Sequence, residues 1–244
     1  MILRVRQDDF ASWTSTYLRL VQPATSPMRK TLPPTWADES HPAIQKVAAS
    51  LVQVDIWNPY GTNGASVGKT VCMGLVINAT AGFVIISRSL CPSDLCTLSV
   101  IFGDSIECPA KMVYEHALNF VVLQYDSSLV DGPIQSATFS KRVLKALDKT
   151  IIYGLNRDDS VPCTVETTVM YVEPLTGNFE PSRFYQPINV DGIHLQIDYL
   201  CKNGILFDVN GDVEALWLPF LATEHTRYVG ISASLFMPAI ERLQ

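Results

Sequence analysis

Residues 197–217 read Ile-Asp-Tyr-Leu-Cys-Lys-Asn-Gly-Ile-Leu-Phe-Asp-Val-Asn-Gly-Asp-Val-Glu-Ala-Leu-Trp. In the second half, Ile205-Leu206-Phe207 and the alternating Val213, Ala215 and Trp217 flank Asn210-Gly211. Asn-Gly between two apolar runs predicts a β-hairpin, because both residues tolerate positive φ. Cys201-Lys202-Asn203-Gly204 leads directly into this hairpin. What occupies that lead-in decides what chemistry the fold carries.

The same β pattern extends outward from there. Ser50–Ile56 alternates with period two, and Thr70–Ile77 returns through a turn at Asn78–Gly82 into Phe83–Ile86. Leu98–Phe102, Ser105–Cys108, Ala110–Tyr114 and Asn119–Tyr125 continue the series. Further short strands are predicted over 149–154, 164–172, 193–199, 204–207, 213–218 and 227–232. Short strands at this spacing, separated by turn signals, indicate an all-β sandwich or barrel. Ser232–Leu243 predicts a terminal helix, with Leu235, Phe236, Ala239, Ile240 and Leu243 on one face. Pro42 suits the first position of a short helix, where a missing N–H costs nothing. Residues 1–40, punctuated by Pro23, Pro27, Pro33 and Pro34, read as an N-terminal extension and linker, with a strand or short helix over Met1–Leu20.

A chain of 244 residues, 48% hydrophobic and 17% charged, can bury a sizeable core. Its net charge of −6 gives no electrostatic footprint for nucleic acid. No apolar run is long enough to span a bilayer, and Met1–Arg6 lacks the apolar stretch of a signal peptide. The expected setting is therefore nuclear or cytoplasmic, not secreted. Cys72, Cys91, Cys96, Cys108, Cys163 and Cys201 fit neither a zinc ribbon nor a small disulfide framework. They read as reduced, buried thiols. The Asn78-Ala79-Thr80 sequon carries no weight without secretion. No metal or cofactor is expected: no Cys/His pair has zinc spacing, and Gly61–Gly64 lacks the lysine of a phosphate loop.

Three segments together resemble the HtrA/DegP type of trypsin-like serine proteases. In that family a Gly-Tyr-Ile-Leu-Thr-Asn strand leads to the catalytic histidine; here Gly82–Ser87 leads to Arg88 and Ser89, and the histidine position falls on Ser89. The family's Asp-Ile-Ala-Leu-Leu-Lys matches Asn119–Gln124, which puts Asn119 at the aspartate. The nucleophile loop Gly-Asn-Ser-Gly-Gly-Pro-Leu, aligned on the hairpin, puts Lys202 at the serine and Ile205 at the proline. More specifically, the chain resembles the second, degenerate protease-like domain of the tandem nuclear HtrA proteases of fungi and their plant relatives. The phrases that carry this are Val84–Leu90 with Pro92, Phe102–Ile106, His116–Phe120 with Tyr125-Asp126, and Ala215–Leu221. Arg6–Asp9 resembles the tail of that family's preceding domain. The resemblance implies a trypsin-like double β-barrel of two antiparallel six-stranded lobes, near 45–130 and 145–232, within a domain spanning 41–244 and closed by a C-terminal helix. It also implies PDZ domains beyond the last helix.

The same alignment implies a site without its chemistry. A serine protease needs a nucleophile, a base to take its proton, and a group that holds the base. Ser89, Asn119 and Lys202 supply none of these, though a shared fold should bring the three positions together. The loop before Lys202 is shorter than the family's and keeps only Gly204, so an oxyanion hole is not expected. Cys201 as a displaced nucleophile, with a base from His41, His116, His194 or His225, is weighed against a small buried residue, and the second reading is preferred. The expected role is a catalytically inactive module that binds protein partners: an active HtrA-type domain or chain, PDZ domains, or peptide. The oligomeric state is left open. Trp217, Phe220 and Leu221 form a contiguous apolar run that predicts either ordinary core or an interface.

Overall fold

The computed structural model describes residues 30–31, 41–60, 67–91, 94–103, 105–116, 120–158, 160–175, 190–196, 201–222 and 225–243. For residues 30–31, 220–222 and 225–227 only the backbone is described. The predicted strands and the predicted hairpins assemble into two closed barrels of six strands each.

The first barrel runs β2 (Leu51–Asn58), β3 (Gly68–Asn78), β4 (Phe83–Ser87), β5 (Thr97–Phe102), β6 (Ile106–Glu115) and β7 (Phe120–Tyr125). It closes in the order β2-β3-β4-β7-β6-β5, antiparallel throughout. The second comprises β9 (Lys149–Asn156), β10 (Pro162–Pro174), β11 (Asp191–Leu195), β12 (Cys201–Phe207), β13 (Val213–Ala222) and β14 (His225–Ser232). Its order is β10-β11-β14-β13-β12-β9. Two strands predicted over 105–114 are one, β6, which carries a bulge between Met112 and Tyr114. Helix α1 (Pro42–Val47) begins at Pro42 as expected, and His41 caps it by accepting from the Ala43 amide at 3.2 Å. The chain ends in a 3-10 turn, Ala233–Leu235, and helix α2 (Met237–Leu243). Two residues of the N-terminal segment, β1 (Lys30–Thr31), pair in parallel with β8 (Val130–Asp131). The strand or helix expected over Met1–Leu20 lies outside the described residues.

Alternation sorts the core into three clusters. Along β3, Cys72 and Val76 point into the first barrel, while Met73, Leu75 and Ile77 point the other way. Along β13, Ala215 and Trp217 fill the second barrel, while Val213, Leu216 and Leu218 join the outward set. That outward set is the seam between the barrels; Phe236, between the 3-10 turn and α2, completes it against Phe120 at 5.8 Å, and Ile240 of α2 joins it. Phe102, Phe120, Phe207 and Phe236 are wholly buried. Each contributes roughly 1.5–3 kcal/mol by removal from water.

The Asn210-Gly211 hairpin forms, but with different geometry from a two-residue turn. Asp208 and Asp212 close it, with the Asp208 carboxylate accepting from the Asn210 and Asp212 amides at 2.8 and 2.9 Å. Only Gly211 takes positive φ, at 87°. The aspartate side chain does the work that a left-handed Asn210 would have done.

Candidate functional site

Ser89 sits just past the end of β4, in the 3-10 turn Arg88–Leu90. Its hydroxyl lies 2.6 Å from that of Ser87, which is buried. Arg88 turns inward instead of outward. Its Nη1 donates to the His116 carbonyl at 2.9 Å, and its other terminal nitrogen pairs with Glu115. This guanidinium, 5% exposed, ties the end of β4 to the end of β6. Glu115 is 45% exposed, so solvent screens this pair and its contribution is that of a surface ion pair, about 0–1 kcal/mol. His116 stacks flat on Phe120, centroids 4.9 Å apart, and donates its backbone N–H to the Phe120 carbonyl at 2.9 Å. Burial and then the Arg88 charge hold the His116 imidazole below its usual range, so it is neutral at pH 7. Asn119 lies outside the described residues.

Lys202 sits on β12 opposite Leu155 of β9. The next residue, Asn203, is an extra residue in the ladder at φ 52°. The Lys202 ammonium donates to Ser160 Oγ at 2.7 Å, on the exposed hairpin that joins β9 to β10. Ser89 and Lys202 thus belong to different barrels, and each is bonded within its own. Lys202 is half-buried and its partner is exposed, so this pair is an ordinary surface hydrogen bond.

Gly204, the one loop glycine kept, has a packing reason. A Cβ there would stand 2.7 Å from the Tyr153 carbonyl and 3.0 Å from Gly154 Cα. It marks a close approach of β12 to β9. Cys201 points into the second barrel, 1% exposed, with Sγ 3.1 Å from Cys163 Sγ. Its hydrogen bond with Cys163, and then burial, push its thiol well above the ordinary range. A thiol held protonated and turned into the core is no acyl-transfer nucleophile.

Trp217 corrects one expectation. It is not on a rim: it is 1% exposed inside the second barrel, and its Nε1 donates to the Cys201 carbonyl at 3.0 Å. An indole that fills a core and clamps the start of β12 is unavailable to a partner. The side chains of Phe220 and Leu221 lie outside those described. Exposed apolar side chains occur elsewhere: Trp57, Tyr60 and Val67, on β2 and around its hairpin to β3, are 50%, 61% and 60% exposed. The outward phase of the β2 alternation at Trp57 was the available signal for this in the sequence. Among the described residues, no three His, Cys, Asp or Glu gather to hold a metal, and no helix is long and apolar enough to cross a membrane.

Sequence reading missed a buried carboxyl. Glu214 on β13 accepts from Thr150 Oγ1 at 2.8 Å, with Arg142 Nη1 3.6 Å from its other oxygen. Burial raises its pKa above the ordinary 4.5, the bond from Thr150 and the Arg142 charge only partly opposing this. A raised folded-state value means stability that is complete below the ordinary pKa and lost as pH rises through the folded one. Glu214→Gln, which never ionises, is therefore expected to gain on the native chain as pH rises from about 4 toward 8. Urea midpoints at several pH values measure the gap; a gap that stays constant or shrinks refutes this account.

No protein-family model matches the chain. Along its whole length it is similar to the pro-apoptotic serine protease NMA111 of Pyricularia oryzae, 33% identical over 256 residues, covering 100% of this chain and 25% of the relative. The relative of the same name in Chaetomium globosum is 32% identical over 261 residues, with coverage of 100% and 25%. The chain thus spans about a quarter of the length of these relatives. Among solved structures, the active form of the Rv3671c protease from M. tuberculosis superposes with a TM-score of 0.64 at 16% identity, covering 91% of this chain and 92% of that one. The HtrA-type protease AlgW with a tripeptide gives 0.60 at 12% identity, covering 82% and 62%. At these identities the likeness is one of fold, and it agrees with the double barrel.

Proposed function

We propose that this chain, a homologue of one segment of the HtrA-type pro-apoptotic serine proteases, is a protease-fold module that does not cleave and acts through protein contacts. The observation that carries this reading is the disposition of Ser89 and Lys202. Each side chain is committed within its own barrel, to Ser87 and to Ser160. Among the described residues, the side-chain partners of both are hydroxyls and not imidazoles. The partner we propose is an active HtrA-type domain or chain in a protein quality-control or pro-apoptotic protease system, with PDZ domains as a further neighbour, in the nucleus or cytoplasm. A cleft that holds peptide without cutting it is the second reading, favoured only by the double-barrel architecture.

The purified chain is expected to leave casein intact and to take no label from a fluorophosphonate probe. Lys202→Ser is expected to behave the same way. A lone hydroxyl there has no base, and triad members act as a unit, so one replacement recovers little. Cleavage by the single variant, blocked by a serine-directed inhibitor, would overturn the reading. The contact surface is sought at Phe220 and Leu221 on the outer half of β13. Phe220→Asp is expected to weaken co-purification with an active HtrA-type chain several-fold; unchanged recovery would place the contact elsewhere.

A further inference from the structure

Two cysteines meet across a strand that separates them. Cys163 lies on β10 opposite Gly154 of β9, and Cys201 lies on β12 opposite Asn156 of the same strand. Side chains from strands on either side of a third do not ordinarily touch. Here the middle position is a glycine. A Cβ there would stand 3.4 Å from Cys201 Cβ, and the two sulfurs lie 3.1 Å apart beside it. Both cysteines are thiols. Cys201 is buried, whereas Cys163 is half-buried at the edge of the cluster, so one partner is reachable from solvent and the other is not.

We infer that Cys163 and Cys201 form an oxidisable dithiol, a modification site at which hydrogen peroxide converts the pair to a disulfide linking β10 to β12. The roles follow from exposure. Cys163, as thiolate, attacks a peroxide oxygen; the O–O bond breaks, hydroxide leaves and takes up a proton, and Cys163 becomes a sulfenic acid. Cys201 Sγ then gives up its proton and attacks the Cys163 sulfur. The S–O bond breaks, and the departing hydroxide leaves as water. Two thiols lose two electrons and two protons, and one peroxide becomes two waters. The 3.1 Å contact supports this order, because it already holds the Cys201 sulfur against the atom that the sulfenic acid presents for attack. The burial of Cys72, Cys91, Cys96 and Cys108 withholds them from the first step.

The crosslink would tie β10 to β12 next to Lys202 and the Ser160 hairpin, so the region that corresponds to a protease's nucleophile loop would change stiffness with oxidation. This is independent of whether the chain cleaves anything. The test treats the folded chain with hydrogen peroxide, removes the peroxide, unfolds the chain in urea with iodoacetamide to block every remaining thiol, and maps the tryptic peptides by mass. Arg183 lies between the two cysteines, so trypsin separates them and a linked pair is unambiguous. The expected result is a Cys163–Cys201 linked peptide, lost on treatment with dithiothreitol, while Cys72 and Cys108 remain alkylated. Cys163→Ser is expected to abolish the link and leave Cys201 a free thiol. Over-oxidation of Cys163 to sulfinic acid with Cys201 still alkylatable would overturn the proposal. So would recovery of all six cysteines as thiols under peroxide that links the pair in urea-unfolded chain.

Discussion

Gly82→Ala is expected to destabilise the first barrel by about 3 kcal/mol or more, combining a left-handed backbone cost of about 1–2 with an overpacking cost of about 1–3. Gly82 sits at φ 71°, where an L side chain is strained. A Cβ there would stand 2.2 Å from the Tyr125 carbonyl oxygen, which is backbone and cannot rotate away. The turn has no freedom to relax. The Tyr125 amide donates to the Gly82 carbonyl at 3.0 Å, Gln124 Nε2 to the Ala81 carbonyl at 3.2 Å, and Ser127 Oγ to the Thr80 carbonyl at 2.9 Å. The β3–β4 turn is thus pinned to the end of β7 at three points. Urea unfolding measures the loss; a midpoint within error of the native one would show that the turn can shift.

Trp217→Ala is expected to be at least as damaging. Truncating a wholly buried aromatic costs about 3–5 kcal/mol, and loss of the Nε1 hydrogen bond to Cys201 adds about 1. The cavity would open between Tyr228, stacked on the indole at 6.3 Å, and the Leu206 and Ala215 positions of the same cluster. Trp217→Phe separates the two contributions. It keeps most of the apolar volume and loses the donor, so it is expected to cost a minority of the alanine effect. If both variants lost the same stability, the hydrogen bond and not the packing would be the dominant contribution. Intact folding of Trp217→Ala would mean that the second barrel collapses around the void.

The fold was legible because period-two alternation and turn residues are local signals. Ile205–Phe207, the Asn210-Gly211 turn and Val213–Trp217 could be read directly, and so could the helix start at Pro42. What remained hidden depends on neighbours distant in sequence. Trp217 reads equally as core or rim until β12 and β14 flank it. Arg88 looks like a surface cation until Glu115 and the His116 carbonyl meet it across the barrel. The type of turn at 208–212 was misjudged because an aspartate side chain substitutes for backbone geometry. The thiol pair could not be read at all, since Cys163 and Cys201 are 38 residues apart and meet only once β10 and β12 flank β9.

The apolar seam between the barrels has a genetic consequence. Its residues, from Leu51 and Phe120 to Phe207 and Phe236, include neither Ser89 nor Lys202. Substitutions at those two positions therefore leave the joining of the halves untouched, and drift there would escape purifying selection for foldability.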